Sequence, residues 1–204
     1  MNNIKMIVFD LDGVYFLDGH SNFKKNLQEK YNLSLEEIIK VYFSSDMMSK
    51  VKKGEISSKD FWDFAIKEWN INATREELLD LLVSGYIVNK EALNLINDLK
   101  SKGYLIGACT NNFEDRINIL NNKFNFLKDF DYVVLSYKEK VIKPNKEIFN
   151  RLCSLSNLKP SQIVISDDNQ TNIDNLKHLG FNAILYTDFN QFIQELKNLG
   201  IDNL

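Results

Sequence analysis

Five short apolar runs constrain this chain more than any other feature. They occupy residues 4–9, 104–109, 132–135, 162–165 and 182–186, and polar side chains follow each one. A β-prone run without polar alternation is buried on both faces, as the strands of a parallel sheet are. Helical patterns lie between the runs, at 88–102, 113–124, 146–155, 171–179 and 189–199. Leu93, Ile96 and Leu99 form an amphipathic stripe that stops at Lys102-Gly103, and Leu176, Leu179 and Gly180 repeat that ending. Strands alternating with helices predict an α/β fold with a doubly wound, Rossmann-like parallel sheet.

Residues 20–85 break the alternation and read as helices only, at 21–31, 34–43, 57–69 and 74–83. Ser34 with Glu37, and Thr74 with Glu77, carry the capping-box spacing of a hydroxyl and a carboxylate three residues on. The pattern predicts a core of residues 1–18 plus 87–204 and a four-helix insert of residues 19–86. Asp18-Gly19 and Gly85 stand at its two ends as hinge candidates. Tyr42, Phe43, Phe61, Trp62, Phe64 and Trp69 are expected to form the insert's own core. A chain of 204 residues can bury about 70% of its surface on folding, enough for both parts.

Composition narrows the function classes. The net charge is -3, and the basic residues, 22 Lys and only Arg75, Arg116 and Arg151, are scattered. A nucleic-acid binder would gather them on one face. Cys109 and Cys153 lack metal or redox spacing and read as small buried apolar residues. No stretch approaches the length of a membrane span, and residues 1–5 show no secretory pattern. The expectation is a cytoplasmic protein, a monomer or weak dimer, whose partner is a small molecule rather than nucleic acid or membrane.

In an open parallel sheet, ligands bind beyond the carboxyl ends of the strands. The first run delivers Asp10-Leu11-Asp12-Gly13-Val14 there, the second Thr110-Asn111, and the fourth Asp167-Asp168-Asn169, while Lys143-Pro144 follows the third strand. Each residue alone reads as a cap, a turn or a solvated charge. Together, four carboxylates at one rim would repel one another without a cation. Mg²⁺ suits them, because it takes a few carboxylates and shares its other positions with water and phosphate oxygens.

These four segments, in this order and with a helical insert after the first, resemble the motifs of the haloacid dehalogenase superfamily and its small helical cap. Gly54-Glu55-Ile56-Ser57, Leu135-Ser136 and Asn172-Ile173 are similar to its bacterial α-glucose-1-phosphate phosphatase branch. The resemblance implies a Mg²⁺-dependent phosphatase acting on a small phosphate ester, a sugar phosphate, through an aspartyl-phosphate. Asp10 is the implied nucleophile, and Asp12 the acid that protonates the leaving alcohol and then activates water. Thr110 and Asn111 are implied to hold the phosphate, and Lys143 to neutralise its charge. The implied metal ligands are Asp10, the Asp12 backbone carbonyl, Asp168 and Asp167. Specificity is expected from the insert and its borders: Phe16, His20, and Lys52 and Lys53 in a loop at 50–56. Two alternatives are a sugar phosphomutase using the same aspartyl-phosphate and a catalytically degenerate binding module.

Overall fold

Strand β1 (Met6–Phe9) runs through the middle of the sheet with all four residues buried. It pairs in parallel with β4 (Leu105–Thr110) and β6 (Ile163–Asp167), Met6 opposite both Leu105 and Ile163. The outer strands are β5 (Tyr132–Leu135) and β7 (Asn182–Leu185), so the order is β5-β4-β1-β6-β7. The computed structural model describes residues 3–202. Ile7 and Phe9 point into one hydrophobic cluster while Met6 and Val8 point into another, the two-faced burial that the unalternating run predicts.

Helices cover both faces. Those of the α/β part are α6 (Lys90–Ser101), α7 (Glu114–Phe124), the single turn α8 (Ser136–Glu139), α9 (Lys146–Ser156), α10 (Gln170–His178) and α11 (Phe189–Asn198). The first starts later than residue 88, because Ile87–Val88 forms strand β3, antiparallel to β2 (Phe16–Leu17), with Phe16 opposite Val88. Asn89 then caps α6, its side chain accepting from Glu91 N and Ala92 N. No helix among the described residues is long and apolar enough to cross a membrane.

Between β2 and β3 lie α1 (Gly19–Tyr31), α2 (Leu35–Ile38) continuing as a π-helical turn (Ile39–Phe43), α3 (Asp46–Lys52), α4 (Ser58–Trp69) and α5 (Arg75–Ser84). Four helices were expected, and α3 is a fifth. It is seven residues long and buries only Met48 and Val51, too few apolar positions to show a period. Ser45 caps it by accepting from Met48 N at 3.1 Å.

The aromatics of the insert do not close a core of their own. Phe61 and Trp62 pack against Phe113, just before α7, at ring distances of 6.4 and 6.3 Å, in one cluster that continues onto the sheet. Gly19 is a close-approach residue, since an added Cβ would fall 2.2 Å from the Tyr86 ring.

Candidate active site

Parallel pairing brings the ends of β1, β4, β5 and β6 to one rim. Asp10 follows β1, and its N–H extends the ladder by donating to the Ser166 carbonyl at 3.0 Å. Its Oδ1 accepts from Leu11 N at 2.7 Å, which turns Oδ2 to the Lys143 ammonium at 3.0 Å. Lys143 also donates to Asp167 Oδ2 at 2.6 Å and to the Cys109 carbonyl at 3.0 Å, so all three of its protons are engaged. Burial works against this ammonium, but Asp10 and Asp167 raise its pKa. Asp167 is held from behind by Asn172 Nδ2 at 2.8 Å and Asn169 N at 2.9 Å.

Asp168 completes an acidic cluster. One oxygen from each of Asp10, Asp167 and Asp168 lies within 4.8 Å of the others, and Asp168 is exposed. Three carboxylates against one ammonium leave two negative charges. Burial, opposed by Lys143 and reinforced by the neighbouring carboxylates, pushes Asp10 up to about 7. Burial and then Asp167 also raise Asp168. The donor set is hard oxygen with one exposed member, so its chemistry and its charge deficit both fit a divalent cation such as Mg²⁺. Gly13, at φ 78°, permits the approach, since a Cβ there would sit 2.7 Å from Asp168 Oδ2.

Asp12 faces elsewhere. Its Oδ2 pairs with Arg116 and its Oδ1 accepts from the Tyr86 hydroxyl at 2.9 Å. Burial pushes its carboxyl up, but Arg116, with His20 and the Tyr86 hydrogen bond, outweighs burial and holds it down at about 2. Arg116 comes from α7 and is only 1% exposed. Its Nη1 lies 2.9 Å from His20 Nε2 and 3.5 Å from the Tyr42 hydroxyl, so it ties Asp12 to the insert.

Thr110 ends β4 and is buried beside this rim. The Asn111 carboxamide accepts from Lys143 N at 2.8 Å and donates to Lys143 O at 3.1 Å, fixing the lysine's backbone, which leads into a cis Lys143–Pro144 bond. The expected specificity residues separate into different environments. Phe16 is buried against Phe126 and Tyr86, at 5.0 and 5.6 Å. His20 is half-buried and borders a cavity of about 190 Å³ with Asp12, Phe16 and Asp168. Lys52 ends α3 rather than lying in a loop, and its field reaches Asp12 and Asp10, whereas Lys53 pairs outward with Glu55 at 4.0 Å.

Arg116 and Tyr86 are site residues that sequence reasoning did not single out. The signal for Arg116 was its place on the buried stripe of α7 with Ile117 and Leu120, where a charge requires a partner. Ser136, the residue after β5, figured only within a family resemblance and carried no expected role. Its hydroxyl donates to the Lys52 carbonyl at 2.6 Å and accepts from Asn112 N at 2.9 Å.

Residues 4–180 match the model of the haloacid dehalogenase-like hydrolase family. Among relatives by sequence, bifunctional epoxide hydrolase 2 of Sus scrofa is 23% identical over 96% of this chain, and the Mus musculus protein is 22% identical over the same share. The chain spans 39% of the length of each. Among solved structures, a HAD family enzyme of Bacteroides thetaiotaomicron in complex with magnesium and inorganic phosphate superposes with a TM-score of 0.79 at 20% identity, covering 93% of this chain and 98% of that one. The L-2-haloacid dehalogenase of Xanthobacter autotrophicus, with chloropropionic acid covalently bound, gives 0.66 at 15% identity over 96% and 83%.

Proposed function

The chain belongs to the haloacid dehalogenase-like hydrolase family, and from that premise we propose that it is a Mg²⁺-dependent phosphatase of a small phosphomonoester, a sugar phosphate, working through an aspartyl-phosphate. The observation that carries this reading is the Asp10–Lys143–Asp167 chain with Asp168 beside it. Asp10, Asp168 and Asp167, with the Asp12 backbone carbonyl, would hold the cation. When bound, Mg²⁺ supplies the two positive charges that the cluster lacks and a Lewis acid for a phosphate oxygen.

Asp10 Oδ2 attacks phosphorus in line with the ester oxygen. Lys143, locked by Asp10, Asp167 and Cys109, keeps a positive charge beside the nucleophile and the equatorial oxygens. The Thr110 hydroxyl and the Asn111 backbone N–H meet those oxygens, since the Asn111 carboxamide is engaged with Lys143. Away from Arg116, which holds its carboxyl down, Asp12 takes up a proton from solvent, gives it to the leaving oxygen, and then takes a proton from the water that opens the aspartyl-phosphate. To do so it exchanges its Arg116 and Tyr86 contacts for the substrate. Those contacts join the two parts of the molecule, so we read residues 19–86 as a cap that opens and closes over the rim.

Purified protein incubated with p-nitrophenyl phosphate and a panel of sugar phosphates should release inorganic phosphate with Mg²⁺ and cease in excess EDTA. Undiminished turnover in EDTA would sink the metal role, and isomerised sugar phosphate in place of free sugar would favour a mutase.

A further inference from the structure

The insert side of the site carries more positive charge than its own residues use. In-line attack from Asp10 leaves the ester oxygen pointing away from Asp10, toward Asp12 and the insert. The groups waiting there are Asp12, Arg116, Lys52, His20, Tyr42 and Tyr86. Burial lowers His20 to about 4, so its imidazole is neutral. Arg116 pairs with Asp12, and among the described residues Lys52 has no carboxylate in contact with it. Arg116 Nε is buried with no hydrogen-bond partner. The Lys52 ammonium makes no hydrogen bond or ion pair among the described residues, although its field reaches Arg116, Asp12, Asp10 and Lys143.

Lys52 is not a wandering surface lysine. Its carbonyl accepts from the Ser136 hydroxyl at 2.6 Å, and two residues on the Gly54 carbonyl accepts from Lys140 Nζ at 2.8 Å. These bonds anchor the end of α3 to the α/β part beside the rim. Burial and then the Arg116 charge lower the ammonium to about 8, with Asp12 and Asp10 opposing them. Lys53, next in sequence, pairs with Glu55 at 4.0 Å.

We infer that the leaving group of the substrate carries a second anionic group, a carboxylate or a further phosphate, which Lys52 and Arg116 receive. This rests on the phosphatase reading above and narrows its substrate class. The transferred phosphoryl group has its own set in Thr110, Asn111 and Lys143, so Arg116, on the insert side of Asp12, and Lys52, whose field reaches both, stand outside that set. A hydroxyl there would leave Lys52 without a charged partner, whereas an anion supplies one and offers an acceptor to the buried Arg116 Nε.

The test uses two matched pairs: phosphoglycolate against its methyl ester, and glucose 1,6-bisphosphate against glucose 1-phosphate. The wild type should prefer the anionic member of at least one pair by about 10- to 100-fold in kcat/KM, the range of a charge-assisted hydrogen bond, and the preferred pair separates carboxylate from phosphate. Lys52→Gln should bring that ratio close to parity, and Lys52→Arg should keep most of it. Parity in both pairs for the wild type, with p-nitrophenyl phosphate still hydrolysed, overturns this inference alone. So does a Lys52→Gln protein that loses both members equally, because Lys52 would then serve the transferred phosphate. No turnover of any ester, p-nitrophenyl phosphate included, overturns the phosphatase reading beneath it.

Discussion

Asp10 and Asp12 stand two residues apart just past the end of β1, yet their surroundings pull them in opposite directions. Asp10 is buried among Asp167, Asp12 and Asp168 with one lysine, and its carboxyl rises to about 7. Asp12 is buried as well, but the guanidinium of Arg116 holds it down at about 2. Burial acts on both, so the partner decides the sign. The Asp10 side is short of positive charge and awaits a cation. The Asp12 side is rich in it and, in our reading, awaits an anion. In the proposed mechanism, nucleophile and acid–base group are thus separated by charge environment rather than by distance.

The comparison breaks most completely at Asp10. Asp10→Asn should lower turnover of p-nitrophenyl phosphate by about 10³-fold or more, because the proposed mechanism forms the aspartyl-phosphate on Asp10. Near-wild-type rates would remove Asp10 from the chemistry. The next largest effect is on stability. Arg116→Met leaves Asp12 facing the insert without its counter-charge and should cost about 3 kcal/mol. Asp12→Asn in the same background should recover part of that loss, which thermal melts of the two single variants and the double variant would measure.

Acidity separates the two carboxylates further. Without divalent cation, Asp10 has a folded-state pKa raised from 3.8 to about 7, so between those values the folded state holds more protons than the unfolded chain. Stability in EDTA should therefore fall as pH rises from about 4 to 7, and Asp10→Asn should flatten that slope. Asp12, depressed to about 2, contributes stability that is present above 3.8 and disappears only as pH drops toward 2. Excess Mg²⁺ should remove the first slope and leave the second. Melting curves at several pH values decide it, and a wild-type slope in EDTA that matches Asp10→Asn would show that the two sides are not distinct.

The acidic half of this contrast was legible in the sequence because strand ends are. An unalternating run followed by Asp10, Thr110 or Asp167 places that residue at the carboxyl rim whatever the loops do. The cationic half depends on tertiary contacts between distant segments. Arg116 meets Asp12 across 104 positions, and Tyr86 meets it across 74. Spacing along the chain carries no trace of such pairs. The short helix α3 escaped for a related reason, since two buried apolar residues set no period, and with it went the placement of Lys52 at a helix end. Phe61 and Trp62 show the same limit. Their aromatic character marked them as core, but the sequence did not show that Phe113 shares that core.

The smallest expected effect tests how the cationic side is held together. Ser136 is buried, and its hydroxyl links the Lys52 carbonyl to Asn112 N. Ser136→Ala removes both bonds without introducing a charge and leaves the Asn112 N–H unpaired. The cost should be about 1 kcal/mol, a fall in Tm of about 2–4 °C for a chain of this length. The kinetic consequence should be uneven. Asp10, Lys143 and the acidic cluster keep their contacts, so kcat on p-nitrophenyl phosphate should change little. A looser Lys52 should weaken its hold on an anionic leaving group and raise KM for the preferred member of each matched pair. A fall in kcat equal for all esters would instead place Ser136 with the phosphate-binding rim, and Lys52 along with it.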